Sequence, residues 1–520
     1  MPRHAGVLLP LFSASSTQSW GVGEFTDVAG VAEWLSRAGF DRWMLLPLGA
    51  IASGQTSPYS ASSAMALDPL FISIERLEEF QRAGGVSALS EEGRSRLTRL
   101  RAGTRVAYDD VRAVKQEALQ RSFTQFVIDE WEQLTLRAAD LARYISRERW
   151  WLDDYALFQV LSRHFGDAPW QTWPQPVAAR APAALDQMRR QLAREMLREQ
   201  YVQWIADGQW QAARRSARAH GVALVGDVPF MVDGNSADVW ARPHEFLPDA
   251  TVGAPPDAYS ATGQDWGLPA YHWDVIAAGG YLWLRDRARR TATLYDGCRI
   301  DHVIGFYRTF VRPLEGEPFF VPGDASAQLA QGEAVLRIFL DTGVAVIAED
   351  LGVIPDVVRE SLTRLGVPGY RVLRWERAWT TEDQPFVDPR AYPALSVATT
   401  GTHDTEPVAA WWEEMSAGDR AALVSAIAAT RGPMGEAARP FDADVRDALL
   451  ESVYASGSDE LFLPMQDVFG WPDRINVPGT VSRANWTWRL PWPADRMGET
   501  GTCIERAAFC RALALRTGRA

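Results

Sequence analysis

The sequence contains a single lysine, Lys115, among its 53 basic residues, and the others are arginines. A phosphate-binding loop of the Walker type needs a lysine in its motif, so proteins that use such a loop are excluded. A Schiff-base mechanism is left with Lys115 as its one candidate residue. Lys115 lies in a polar helical stretch, so we expect it to be a solvated surface residue. The 66 acidic residues give a formal net charge of −13. No overall basic field is available to attract nucleic acid or an anionic membrane.

Cysteine and histidine are also scarce. The cysteines, Cys298, Cys503 and Cys510, are too few and too irregularly spaced for a disulfide framework or a Cys-x-x-Cys zinc site. The seven histidines include no His-x-x-x-His pair, so a metal site is not expected. Gly21 and Gly23 lack the third glycine of a dinucleotide-binding loop. These absences favour a protein of the reducing cytoplasm that uses neither a metal nor an organic cofactor.

Long apolar runs are missing as well. The stretch 7–12 is short and contains Pro10, so neither a membrane span nor a secretory signal is expected. Tryptophan, in contrast, is abundant, with 22 residues. The flat apolar face of tryptophan can cover a sugar ring while its N–H bonds at the edge, although each single tryptophan is more often a packing residue. Sugar binding therefore becomes a candidate function.

Strand-like and helix-like segments alternate along the chain. Apolar periodicity predicts a helix over 28–38 and then a strand over 43–46. Residues 86–220 are rich in Arg, Glu, Ala and Gln and predict a helical insertion. Alternating strands and helices are typical of an α/β fold with a parallel sheet, here a (β/α)8 TIM barrel. We expect one elaborated catalytic domain over 1–520, with 86–220 as a mainly helical insertion within it.

Short apolar runs beyond the insertion each end near a carboxylate, at 222–225, 298–300, 344–348 and 396–400. One aspartate in such a place commonly caps the next helix. Four successive cases instead favour a site at the carboxyl ends of the strands, which is the active face of a barrel.

Two pairs of residues indicate the chemistry of that site. Arg299 and Asp301 are two apart on a predicted strand, so both side chains point to the same face, and Arg299 is expected to keep Asp301 ionised. Glu349 and Asp350 are consecutive and face opposite ways, and Glu349 directly follows the apolar run. An ionised carboxylate beside a protonated one is what cleavage of a glycosidic bond requires.

Three segments that carry these residues resemble the signature regions of a known family. Gly-Cys-Arg-Ile-Asp-His at 297–302, Ile-Ala-Glu-Asp-Leu-Gly at 347–352 and Thr-Gly-Thr-His-Asp at 400–404 are similar to those of the 4-α-glucanotransferases called amylomaltase or disproportionating enzyme, in the α-amylase superfamily. Further segments follow the family pattern in order, namely 6–9, 21–25, 46–49, 57–59, 226–229, 236–240, 255–257, 262–267, 476–480 and 485–486. The resemblance therefore covers nearly the whole chain.

The resemblance implies a retaining double displacement on α-1,4-glucan. Asp301 would be the nucleophile, Glu349 the acid and then the base, and Asp404 the stabiliser of the transition state. His403 would contribute a neutral hydrogen-bond donor. The implied donors are maltooligosaccharides and α-1,4-glucans derived from starch or glycogen, and the implied acceptor is glucose or a glucan. The residues expected to bind substrate are Tyr59, Asp257, Gln264, Trp266, Arg299, His403 and Asn476.

The sequence departs from the family pattern at three places. Residues 10–13 replace its usual His-Pro-Thr-Ser, Ala258 replaces an aromatic residue, and Thr405 replaces an asparagine. Two other functions stay open from the residues alone. A hydrolase on the same scaffold would use the same three carboxylates with water as acceptor. A non-catalytic glucan-binding protein would be expected to lose one of the carboxylates, and all three are present.

Overall fold

A closed barrel of parallel strands forms the centre of the protein. The computed structural model describes residues 2–52, 54–256, 263–431, 439–480 and 482–519. The strands are β1 His4–Leu8, β2 Arg42–Met44, β3 Ala223–Val228, β4 Phe246–Ala254, β5 Gln264–Tyr271, β6 Gly297–Ile300, β7 Thr309–Pro313, β8 Phe319–Val321, β9 Ala345–Ala348, β10 Gly369–Val372, β11 Ser396–Thr399 and β12 Glu460–Pro464. The barrel runs in the order β1, β12, β11, β10, β9, β6, β3, β2 and closes on β1.

Helices surround the barrel and connect its strands. They are α1 Val28–Arg37, α2 Glu78–Arg82, α3 Glu91–Ala102, α4 Tyr108–Phe126, α5 Leu136–His164, α6 Gln175–Ala178, α7 Pro182–Gln191, α8 Ala193–Ala219, α9 Ala237–Ala241, α10 Trp273–Ala278, α11 Leu282–Leu294, α12 Ile304–Tyr307, α13 Ala325–Leu340, α14 Asp356–Leu365, α15 Val408–Glu414, α16 Ala417–Arg431, α17 Ala443–Tyr454, α18 Met465–Phe469 and α19 Gly501–Arg516. A π-helical turn, Val127–Trp131, follows α4.

The predicted (β/α)8 barrel is confirmed. Helix α1 and strand β2 lie within two residues of their predicted positions. Helix α14 begins after Pro355 and ends at Gly366, whose φ of 71° is the left-handed conformation that glycine adopts readily. Strands β6 and β11 are buried along their whole length. A barrel strand is covered on both faces, so even the charged Arg299 of β6 is buried.

Two further structures pack outside the barrel strands, a group of helices and a second sheet. Helices α2 to α8 lie between β2 and β3, and α3 to α8 fall within 86–220, where the sequence predicts helical structure. A second sheet, antiparallel and in the order β5, β4, β7, β8, was not predicted. Strand β4 carries exposed polar residues and β5 contains both glycine and proline, so neither shows a clean alternation of apolar and polar residues. This sheet brings Gln264 and Trp266 to the barrel.

The expectation of a solvated Lys115 is wrong. Lys115 is 2% exposed, and its Nζ donates to the carbonyl oxygens of Leu70 at 2.7 Å and Ile72 at 2.8 Å. It also forms an ion pair of 2.7 Å with the buried carboxylate of Glu24. The surrounding helix is polar in sequence, but α4 is packed on several sides. A buried charge is tolerated there because a partner charge and two carbonyl groups replace its water.

Helices long and apolar enough to cross a membrane are absent from the part of the chain that the structure describes.

Candidate active site

Loops at the carboxyl ends of the barrel strands bring the predicted site residues together. Asp227 lies near the end of β3, Asp301 directly follows β6, and Glu349 directly follows β9. The loop after β11 carries His403 and Asp404. Two further residues come from the loops after β2 and after α18, namely Tyr59 and Asn476.

A buried arginine lies between two carboxylates. Arg299 Nη1 donates to both carboxylate oxygens of Asp227 at 2.8 Å and to Asp301 Oδ1 at 2.9 Å. Asp227 of β3 and Arg299 of β6 are paired in the register of these neighbouring strands, so their side chains lie next to each other. Burial opposes the positive charge, but Asp227 and Asp301 raise the pKa of Arg299 well above its ordinary value. The side chain of Asp301 is 26% exposed, so it is partly accessible from solvent.

Glu349 is held by backbone groups on both sides. Its Oε2 accepts the N–H of His302 at 2.8 Å, and its Oε1 accepts the N–H of Leu351 at 3.1 Å. Burial raises the pKa of Glu349 to about 7, with Arg299 opposing the shift and the negative charge of Asp301 adding to it. Asp350 points elsewhere and accepts the N–H of Tyr370. Half of the Glu349 side chains therefore carry a proton near neutral pH.

His302 has a backbone conformation that is uncommon for a residue with a side chain, with a φ of 44°. This conformation directs its N–H to Glu349, so the residue after Asp301 also holds the second carboxylate. Burial lowers the pKa of the His302 imidazole to about 4, which keeps the ring neutral near pH 7. The ring meets Trp266 edge-on, with 4.8 Å between ring centroids.

The third carboxylate, Asp404, has two side-chain partners. Its Oδ2 lies 3.2 Å from His403 Nε2, and its Oδ1 accepts Asn476 Nδ2 at 2.6 Å. Burial alone would raise the pKa of Asp404, but His403 and the Asn476 hydrogen bond lower it to about 2. Burial would lower the pKa of His403, and Asp404 raises it above its ordinary value instead. His403 therefore keeps its second ring proton to a higher pH than a free imidazole would.

An aromatic wall closes one side of the site. The ring of Tyr59 stacks on His403, with 5.4 Å between centroids and an angle of 19° between the planes. The Tyr59 hydroxyl donates to Asp227 Oδ2 at 2.7 Å and lies 3.0 Å from His403 Nε2. Trp486 packs against both rings. Tyr59 therefore connects the Asp227 and Arg299 pair to the His403 and Asp404 pair.

Of the remaining candidate residues, Gln264 and Trp266 lie on strand β5 of the antiparallel sheet. Trp266 Nε1 donates to Gln264 Oε1 at 3.1 Å, so these two residues of β5 form a unit whose Trp266 ring lies beside His302. Asp257, and with it Ala258, lies outside the described residues.

Asp227 lies in the site but is not among the residues expected from the sequence. Its segment is part of the family pattern, and a carboxylate at the end of an apolar run was its signal. Its partner Arg299 lies 72 positions along the chain, and only the register of β3 with β6 shows that they meet. Burial raises the pKa of Asp227, which Arg299 opposes, so Asp227 depends on that arginine to stay ionised.

The three carboxylates differ in environment in a way that suits glycosidic chemistry. Asp301 contacts an arginine, Glu349 is partly protonated at neutral pH, and Asp404 stays ionised to low pH. A nucleophile and an acid that differ in this way are the two groups needed to break a glycosidic bond with retention. Within the described ranges, no group of three or more His, Cys, Asp or Glu side chains is arranged to hold a metal ion.

Comparisons with known proteins agree with this chemistry. The sequence model of the family described as 4-alpha-glucanotransferase matches residues 9–495. The 4-alpha-glucanotransferase of Thermus thermophilus is 34% identical over 98% of this chain and 98% of its own length. That of Chlamydia caviae is 32% identical over 94% of this chain and 91% of its own length.

Solved structures give the same result. The amylomaltase from Streptococcus agalactiae in complex with acarbose is 25% identical, with a TM-score of 0.82 over 99% of both chains. The amylomaltase from Corynebacterium glutamicum shares the fold, with a TM-score of 0.81 over 98% of this chain and 75% of its own. The chain therefore belongs to the 4-α-glucanotransferase (amylomaltase) family and is a glycosyltransferase.

Proposed function

We propose that this protein moves α-1,4-glucan segments from a donor to the 4-hydroxyl of an acceptor sugar by a retaining double displacement. The donors are maltooligosaccharides or α-1,4-glucans derived from starch or glycogen, and the acceptor is glucose or a shorter glucan. The observation that carries the proposal is the contrast between Asp301, paired with Arg299, and Glu349, whose pKa lies at about 7. One carboxylate is ready to attack and the other is ready to give a proton.

In the first step, a carboxylate oxygen of Asp301 attacks the anomeric carbon of the donor. Glu349 gives its proton to the glycosidic oxygen, and the carbon–oxygen bond to the leaving sugar breaks. The leaving sugar departs with a free 4-hydroxyl, and the retained segment is joined to Asp301 as a β-glucosyl ester. Arg299 orients the carboxylate of Asp301 through its hydrogen bond of 2.9 Å.

In the second step, the 4-hydroxyl oxygen of the acceptor attacks the same anomeric carbon. Glu349, now a carboxylate, takes the hydroxyl proton, and the ester bond to Asp301 breaks. The two inversions restore the α configuration, and Glu349 regains the proton it began with. Transfer exceeds hydrolysis when the acceptor sugar is oriented better than water.

The flanking residues hold the sugar during both steps. Asp404 stays ionised and stabilises the positive charge that develops on the sugar ring in each transition state. His403 and Asn476 hold Asp404 and offer hydrogen bonds to sugar hydroxyls. The substrate-binding set is Tyr59, Asp257, Gln264, Trp266, Arg299, His403 and Asn476, to which we add Asp227 as the residue that holds Arg299.

We also propose that residues 1–520 form one catalytic unit, with 86–220 as an insertion that folds against the barrel. Helices α4 and α8 share buried residues with the hydrophobic core that contains the barrel strands. A continuous core of this kind favours one folding unit rather than two.

A donor whose leaving group needs no proton allows the roles of Asp301 and Glu349 to be tested separately. With α-glucosyl fluoride as donor, E349Q should still form the ester on Asp301, because fluoride departs without an acid, but the ester should break slowly without a base. The intact mass should rise by one anhydroglucose unit, and peptide mapping should place it on Asp301. D301N should show no such adduct and no transfer.

Asp274→Asn supplies the control, since Asp274 is an exposed carboxylate in the first turn of α10. Its activity should match the unmodified protein. An adduct on another residue, or normal transfer by D301N, would contradict the assignment of the nucleophile.

A further inference from the structure

The contact between Asp404 and Asn476 joins two loops that follow different strands. Asp404 lies in the loop after β11, and Asn476 lies in the segment after α18, which itself follows β12. Their side chains meet at 2.6 Å. A hydrogen bond between two side chains fixes their separation but not the position of either backbone, because both side chains can rotate and still meet. The position of Asp404 in the site therefore needs a further support.

Arg474 supplies a link between the two backbones. Its Nη2 donates to the backbone oxygen of Asp404 at 2.8 Å, and its Nε donates to the backbone oxygen of Asn476 at 3.1 Å. The guanidinium is planar and presents its donors in a fixed geometry. Both loops are therefore tied to one rigid group.

Arg474 is itself held in place by a partly buried ion-pair network. Glu406 Oε1 accepts Arg474 Nη1, and Glu406 Oε2 accepts Arg374 Nη1 at 2.9 Å. The Arg374 side chain is 5% exposed and lies over the ring of Trp411, at 4.9 Å from the centroid. Arg374 also donates to the backbone oxygen of Glu406. The network extends from the barrel end of β10 to the loop that carries Asp404.

We propose that Arg474 is a positioning residue that sets the location of Asp404 and Asn476 through their backbone carbonyl groups. This inference rests on the proposed role of Asp404 in stabilising the transition state. Because Asp404 acts mainly in the transition state, loss of Arg474 should reduce the chemical step more than the affinity for substrate. A displacement of about 1 Å at a catalytic group can cost roughly 100-fold in rate.

The first test compares R474A and R474K with R483A. Arg483 is an exposed arginine near Asn476 in the same segment, so it controls for loss of charge there. R474A should lower kcat by roughly 10- to 100-fold with KM changed by about twofold or less. R474K should show an intermediate kcat, because a lysine keeps the charge beside Glu406 but cannot span both carbonyl groups. R483A should behave as the unmodified protein.

Two further readouts distinguish positioning from general stability. The Arg474 side chain is 26% exposed, so guanidinium ion, at concentrations far below those that unfold proteins, can enter the space left in R474A and should restore part of kcat. The double variant R474A/N476A should be no worse than the poorer single variant, because both changes release the same carboxylate. If R474A does not fold, R474K carries the comparison with N476A.

Several outcomes would overturn the inference. These are an unchanged kcat in R474A and R474K, losses that multiply with N476A, and a loss that appears in KM rather than in kcat. D404N tells this failure apart from failure of the proposed function. If D404N is inactive while the Arg474 variants have normal kcat, only the positioning role is wrong; if D404N is fully active, the assignment of Asp404 is wrong.

Discussion

The raised pKa of Glu349 leads to a specific pH dependence of transfer. With a pKa of about 7 instead of the ordinary 4.5, about half of Glu349 is protonated at pH 7, which is roughly 150-fold more than an ordinary glutamic acid would provide. Because the proton is lost as pH rises, the protonated fraction falls to roughly a tenth at pH 8 and about a hundredth at pH 9. The rate of donor cleavage should fall to the same fractions of its value for the fully protonated enzyme.

The assay measures kcat/KM for maltotriose from pH 5 to pH 9, with products separated by chromatography. Enzyme held at pH 9 and returned to pH 6 should regain full activity, which excludes unfolding as the cause. His403 also has a raised pKa, so a second donor is needed to assign the decline. With α-glucosyl fluoride the decline should disappear from kcat/KM, because fluoride needs no proton from Glu349.

The result that would refute this reasoning is a decline that stays the same with α-glucosyl fluoride. Loss of the proton from His403 would affect both donors equally, whereas loss of the proton from Glu349 affects only the donor with a sugar leaving group. A rate for maltotriose that stays constant to pH 9 would also refute it, because Glu349 would then keep its proton far above pH 7.

Two predictions concern stability. K115M should lower the free energy of unfolding by roughly 3–5 kcal/mol, because it leaves the buried Glu24 without its partner charge, and the double variant E24Q/K115M should recover part of the loss. Unfolding in urea, followed by tryptophan fluorescence, measures the stability of both variants. Equal urea midpoints for K115M and the unmodified protein would contradict the prediction. R519A should lower the free energy of unfolding by several kcal/mol. Arg519 is 1% exposed and donates to backbone oxygens of His4, Tyr454 and Ser458, among others. Each buried group left unsatisfied costs about 1–3 kcal/mol. Arg516 is the matched control because its side chain is 63% exposed, so R516A should leave the urea midpoint unchanged; an R519A midpoint equal to that of R516A would show that the buried arginine adds no stability.

The sequence predicts the barrel because five of its eight strands, β2, β3, β6, β9 and β11, appear in the sequence as short apolar runs. A short apolar run followed by a carboxylate occurs at β6 and β9, and the parallel arrangement then requires Asp301 and Glu349 to lie at the same end of the barrel. The opposite orientations of Glu349 and Asp350 also follow from local geometry, since successive strand residues point to opposite faces.

The features that were missed depend on contacts between distant segments. Lys115 has polar neighbours in sequence, and its burial is decided by Glu24 and by the chain at 70–72 that packs over it. The antiparallel sheet has no regular alternation of apolar and polar residues. The link from Arg474 to Asp404 joins residues 70 positions apart, so neither shows it in its own surroundings.

Incubation of the purified protein with maltotriose alone tests the central claim most directly. A glucanotransferase should produce glucose together with longer maltooligosaccharides, while the total number of reducing ends stays constant, because each bond broken is replaced by a bond formed. Reducing ends that rise in step with glucose and maltose would mean that water is the acceptor, and would contradict the account.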